Sequence, residues 1–145
     1  MVKREQRDLA GRLVKQYFAC EITNDDFVDA YPVREKDDRA IGAIYEVLWN
    51  FWDDRYTHTL TGKHKLKPEP RALFERCIAF FESDLEYEWP PLTWHSVSQL
   101  FLRLIGLRKI AERRSEEWMQ KARSIGEFDV WPFIRKEDYD TLSHN

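Results

Sequence analysis

The chain has 145 residues, 43% of them hydrophobic, 34% charged and 14% aromatic, with a formal net charge of −3. That apolar content excludes wholesale disorder, and the length suits one domain around one core. The charge excludes neither a basic nor an acidic partner, and no apolar run approaches the ~20 residues that a membrane-spanning helix needs.

Five Gly and six Pro are too few for a turn-rich sandwich or barrel. The segments between them carry helical periodicity instead. The N-terminal MVKREQRDLAGRL lacks the apolar stretch of a secretory signal, so a cytoplasmic protein is expected. Leu9, Leu13, Tyr17 and Cys20 then line one face, widened by Ala10, Val14 and Phe18. This spacing predicts a helix over 4–20. Thr23 or Asn24 offers an N-cap, with Asp25 and Asp26 in the first turn where the helix dipole favours them. The short helix so begun should stop before Pro32.

Asp37 or Asp38 starts the third predicted helix. Ile41, Ile44, Tyr45, Leu48, Phe51, Trp52 and Arg55 fall on one stripe, flanked by Val47 and Trp49, so the apolar arc exceeds half the circumference. A helix over 41–56 that is this apolar should be central. Its narrow polar side carries Glu46, Asn50, Asp53 and Asp54. YTHTLTGKHKLKPEP then reads as a loop, and Pro68 or Pro70 opens a fourth helix. Leu73, Cys77 and Phe80 make one row of it, and Phe74, Ile78, Phe81 and Leu85 another. Pro90-Pro91 ends that segment. From Thr93, the residues Val97, Leu100, Phe101, Leu104, Arg108 and Ala111 keep a helical stripe, with Gly106 as a potential break. The pattern continues through Trp118 and Ala122 to about Gly126. The tail FDVWPFIRKEDYDTL is aromatic enough to dock on the body. The expected fold is therefore all-α: a single compact bundle-like domain over 1–145, with five to seven helices and a central aromatic-rich one.

Charge falls in blocks. Glu21 to Asp54 holds ten acidic and three basic residues, whereas Arg55 to Arg71 holds five basic and one acidic. Glu82 to Trp89 has four acidic residues and no basic one, and Arg103 to Arg123 has seven basic and three acidic. The acidic blocks are interleaved with aromatics: Phe27 and Tyr31, Trp49 and Trp52, Tyr87 and Trp89. Acid beside exposed aromatic suits a basic protein partner. Asp53, Asp54, His58, Glu86, Tyr87 and Trp89 are accordingly the candidate binding residues.

Three other chemistries compete. Asp54 and His58, four apart, would share a face of a continuing helix and could ligate a metal, with Asp53, His64 or His95 assisting. Two local ligands fall short of the three or four a site requires, so no metal and no cofactor is expected. A hydrolase needs a nucleophile with a base. Cys77 sits among Leu73, Phe74 and Phe80 and reads as inert. Ser96 and His95 are adjacent and would point apart on a helix. Asp84, Glu86 and Glu88 offer carboxylates but no defined pair. No Gly-rich phosphate loop is present. Nucleic acid could meet Arg103, Arg108, Lys109, Arg113, Arg114, Lys121 and Arg123. However, Glu112, Glu116 and Glu117 interrupt that stripe as ordinary helix-surface pairs would, and the overall charge is acidic. The reading that asks least is a non-enzymatic protein-binding module of bacterial immunity or inhibitor type. A metal-dependent enzyme built on Asp54 and His58 is the alternative, and nucleic-acid binding through 103–123 the next. No membrane association is expected.

Overall fold

Four helices of the N-terminal two thirds form where their caps and stripes dictate. Helix α1 spans Arg4–Phe18, α2 Asn24–Ala30, α3 Arg39–Leu48 and α4 Pro68–Glu82. The computed structural model describes residues 1–51, 53–91 and 116–143, and two further helices follow there, α5 (Glu116–Ile125) and α6 (Lys136–Ser143). Among the described residues the architecture is all-helical, joined by irregular segments and three short 3-10 turns. No helix among them is long and apolar enough to cross a membrane. The segment 93–111 lies outside the described residues, so its expected helices, Gly106, His95 and Ser96 are not placed.

Helix α1 ends two residues before the predicted boundary, on a left-handed residue. Cys20 has φ +63°, its amide donates to the Tyr17 carbonyl, and the Glu21 amide donates to Gln16 at 2.9 Å. These are the two bonds of a Schellman cap, with cysteine where glycine is usual. Thr23 caps α2 through a reciprocal pairing with Asp26. Those bonds to Thr23, from its amide first and its hydroxyl second, hold the Asp26 carboxyl below its usual range. Asp38 caps α3, and Pro68 stands in the first turn of α4.

Helices α1 and α4 make the principal packing of the fold and run antiparallel. Arg4 bonds to Ser83 and Asp84 at one end, and Phe18 stacks on Phe74 at the other. They cross closely at Gly11, where an added Cβ would lie 2.9 Å from the Cβ of Phe81. One apolar cluster unites the elements, from Ala10, Val14 and Tyr17 through Ile41, Ile44 and Leu48 to Phe74 and Phe80. The tail completes it. Phe128, Val130, Trp131 and Phe133 are buried, as its aromatic content predicts.

Two further predicted boundaries need correction. Helix α3 stops at Leu48, followed by a 3-10 turn at Trp49–Phe51, rather than running to Tyr56. Asn50, placed by periodicity on the polar side of a longer helix, instead turns its side-chain amide back onto the carbonyls of Glu46 and Val47, each at 3.1 Å. It consumes the terminal acceptors, and the two aspartates beyond it would oppose the negative end of the dipole had the helix continued. Helix α4 stops at Glu82, well before Pro90. Ser83 donates its hydroxyl to the Phe80 carbonyl at 2.7 Å and accepts from the Leu85 amide at 3.3 Å. Leu85, expected on an apolar helical row, is therefore off the helix and 38% exposed.

Candidate functional site

The stretch from Asp53 to His64 is a built loop without helical continuation. Asp53 is half-buried, and its carboxylate accepts the Arg55 amide at 3.0 Å, the geometry of a turn-forming aspartate. The loop is fastened to α2 by a residue that its sequence does not advertise. Asn24, 2% exposed, accepts the His58 amide at 2.7 Å and donates to the carbonyls of Asp53 and Tyr56, each at 3.2 Å. Its own amide donates to the His58 carbonyl at 2.9 Å. Asp25 beside it accepts the Thr57 hydroxyl. Asp54 and His58 are thus separated by a turn, and Asp54 is exposed. They do not share a helix face, which corrects the geometry on which the metal reading rests. Among the described residues, no group of three or more His, Cys, Asp or Glu is placed to hold a metal ion.

His58 turns inward. Its Nδ1 lies 2.8 Å from the Tyr56 carbonyl, which can only accept, so this nitrogen carries the proton. Its Nε2 lies 3.4 Å from the Tyr17 hydroxyl, a long contact in which the hydroxyl donates. The ring stacks on His64, centroids 3.8 Å apart and planes 19° from parallel. Burial, the facing His58 and neighbouring Lys63 together hold the His64 imidazole below its ordinary pKa, with Asp53 pulling weakly the other way. The Lys63 ammonium stands 5.5 Å from the centre of the exposed Tyr56 ring. Gly62, at φ +55°, provides the reversal that brings His64 back over His58.

The second acidic block behaves differently. Between Glu86 and Trp89 burial alternates: Glu86 and Glu88 are exposed, Tyr87 and Trp89 buried. Alternation at period two is what a non-helical segment running along a core surface produces. Trp89 is wholly inaccessible, and its indole N–H is shared by the carbonyls of Pro132 and Phe133 at 3.0 and 3.2 Å. Tyr87 meets Phe80 and Trp131 edge to face, and its hydroxyl accepts from the Trp131 indole at 3.2 Å. Arg39 spans the pair, bonding the Trp89 carbonyl at 2.6 Å and lying over the Tyr87 ring. The expectation that Tyr87 and Trp89 form an exposed aromatic face is therefore overturned. Both are core, and they tie the tail to the body. Phe27 and Tyr31 are buried as well, and Trp52 lies outside the described residues.

Nor do the two acidic blocks converge. His58 meets Tyr17 late in α1, while the Leu85 carbonyl accepts from Arg7 at its start. Ten residues of helix separate them, about 15 Å. What gathers near Glu86 is a groove between the end of α4 and α6, of about 490 Å³. Its walls are Glu82, Ser83, Asp84, Leu85, Asp138, Thr141 and Leu142, with Leu85 and Leu142 38% and 36% exposed. Asp138 and Leu142 were not singled out by the sequence. Their spacing of four on a short C-terminal helix was the available signal, masked by the density of acids around it. Glu82 pairs with Lys15, and Asp84 with Arg4 at 3.0 Å, both on the surface.

The other sequence candidates resolve simply. Cys77 is fully buried and burial pushes its thiol well above the usual range, so it is inert. Of the basic set, Lys121 and Arg123 are exposed on α5, and Arg103 to Arg114 lie outside the described residues. In comparisons with protein-family models, curated proteins and solved structures, nothing matches this chain.

Proposed function

We propose that the protein is a non-enzymatic binding module that receives a basic amphipathic segment of a protein partner in the groove between α4 and α6. The observation that carries this reading is the pairing of two half-exposed leucines, Leu85 and Leu142, with the carboxylates of Glu82, Asp84 and Asp138 around one concavity. Apolar anchors ringed by one sign of charge suit a helix or peptide with leucine-like side chains on one face and Lys or Arg beside them. Glu86, next in sequence to Leu85, is not a lining residue of the groove and pairs with the Met1 ammonium at 3.7 Å. The surface pairs Lys15–Glu82 and Arg4–Asp84 exchange easily for a partner's cations, because exposed ion pairs contribute about 0–1 kcal/mol.

In its narrower form the proposal is an inhibitor or immunity-type protein of a bacterial cytoplasm, covering a cationic surface on its target. Both cysteines are free thiols, in keeping with a reducing compartment. Asp53, Asp54 and His58 take no part in this groove. The test is capture of partners from a bacterial lysate at low and high salt, followed by binding kinetics. Replacing Leu85 and Leu142 together by Asp should abolish capture while the thermal midpoint stays near wild type. Reversing Asp84 and Asp138 to Lys should mainly slow association. Capture that survives both changes overturns the proposal.

A further inference from the structure

At the opposite end of the α1–α4 pair lies a second concavity, of about 320 Å³. Its walls are apolar: Phe18 at the end of α1, Leu60, and Leu66 from the loop before α4. Leu60 is 5% exposed, so the floor is part of the core, whereas Phe18 and Leu66 are half-buried. Its charged groups, among the described residues, are of one sign, beside the neutral Thr61. Lys65 and Arg71 line it, and among the described residues no carboxylate does. The Arg71 guanidinium stands 4.9 Å from the centre of the Phe18 ring, so it is held at the wall by the aromatic surface. Its acidic contact is Glu75, one helical turn on at 3.4 Å and largely exposed. Lys65 makes no ion pair among the described residues. The surrounding sequence is the most basic of the described chain, five cations to one acid from Arg55 to Arg71.

We propose that this pocket binds a small organic anion, a carboxylate on a short alkyl or aryl body. The body lies against Phe18, Leu60 and Leu66, and the carboxylate reaches Arg71 and Lys65. Three features favour that class. The volume sits at the small end of ligand pockets, which are mostly apolar with a few convergent polar groups. A planar guanidinium fixed by a ring offers two parallel donors to a carboxylate. The competing Glu75 is a helix-surface partner of the kind that contributes little. A cation is disfavoured by the same charges, and a neutral molecule would leave them unused.

Cys20 supplies the readout, because it is a lining residue of the pocket and only half-buried, while Cys77 is fully buried. The rate of Cys20 alkylation by iodoacetamide should fall as octanoate is added at millimolar concentration, saturating, with a fall of about tenfold at roughly ten times the Kd. A Cys20→Ser variant should take up no label, which assigns the reaction. Octylammonium should give no protection. In Lys65→Glu, an exposed position that leaves the fold intact, the octanoate Kd should rise by about tenfold or more, the loss of one charge-assisted bond. The comparison is of protection ratios, since removing a cation also changes the intrinsic thiol rate. Equal protection by octylammonium, no protection by octanoate, or an unchanged Kd in Lys65→Glu would each overturn the assignment.

Discussion

Arg7 and Asp38 meet inside the protein as a two-pronged ion pair, with Nε and Nη2 each 2.8 Å from a carboxylate oxygen and both side chains at most 2% exposed. The pair joins three elements. Arg7 lies on the buried face of α1, Asp38 caps α3, and the remaining Arg7 donors reach the Ser83 and Leu85 carbonyls just beyond α4. Asp38 also accepts the Lys3 amide at 3.1 Å. Every polar atom of the pair is therefore occupied, the condition under which a buried pair can be retained.

Removing one partner leaves the other charge buried, so Asp38→Asn or Arg7→Met should cost on the order of 3–5 kcal/mol, read as a lowered urea midpoint. Acid should act through the same carboxylate. Burial alone would raise the Asp38 pKa, but the bonds from Arg7, the Lys3 amide and the Ala40 amide outweigh it and set the folded value below the ordinary one. A carboxylate lowered in the fold contributes stability that is complete above its unfolded pKa of about 3.9 and is lost as pH falls through the folded value. Wild type should therefore lose stability below about pH 4, and Asp38→Asn should lack that component. Parallel acid profiles for the two proteins would place the acid-sensitive group elsewhere.

The helices were legible because stripe and cap agree: Thr23, Asp38 and Pro68 begin helices where apolar rows begin. What the sequence hid were residues whose side chains serve the backbone. Asn50 ends α3 by taking carbonyls that periodicity assigned to another turn of helix, and Ser83 does the same for α4. Once those helices stop, Asp54 and His58 lose their common face, and Glu86 to Trp89 alternate at period two, with the aromatics inward. Arg7 was within reach, since it lies three residues before Ala10 and seven before Val14 on the buried stripe. A charged residue on an apolar stripe reads as an interruption until its partner is seen. Tyr87 and Trp89 look like surface residues in the sequence for the same reason: the tail residues that cover them, Trp131 to Phe133, lie over forty residues downstream.

Asn24 is the fastener of the loop that carries His58. Asn24→Ala would strip bonds from the Asp53, Tyr56 and His58 backbones together, and water can reach only part of that loop. The expected loss is about 1–3 kcal/mol, the usual cost of leaving polar groups poorly satisfied. Amide exchange at His58 should rise more steeply than exchange in α1 or α4, because the opening is local. Equal acceleration everywhere would mean that Asn24 supports the whole fold.

Cys20 is a non-glycine residue in the left-handed region at the α1 terminus, and that conformation costs an L-residue roughly 1–2 kcal/mol. Glycine adopts it freely, although it loses more entropy on folding. Cys20→Gly should therefore raise stability by about 0.5–1 kcal/mol. Cys20→Val should lower it, since a β-branched residue fits positive φ poorly. Calorimetry of the two variants gives the comparison, and a Val variant as stable as the Gly variant would show that α1 ends differently in solution.

His64 is expected to respond to mild acid through its contact with His58. The rings are stacked at 3.8 Å, so charging His64 places an imidazolium beside a ring whose Nδ1 proton is held by the Tyr56 carbonyl. Lys63 adds like charge next door, and Asp53 offsets it in part. Burial is the first cause of the lowered pKa and His58 the second. A histidine lowered in the fold is preferred neutral there. Its contribution to stability is complete above the unfolded pKa of about 6.5 and declines as pH falls through that value toward the folded one. In an NMR titration the His64 ring should protonate below about pH 6.5. In His58→Gln its midpoint should rise partway toward that value, because burial and Lys63 remain. The amides from Asp53 to His64 should shift over the same pH range in wild type and less in the variant. A wild-type His64 midpoint at or above the free value would mean that the two rings are apart in solution, and that the loop closed by Gly62 is looser than this stacking requires.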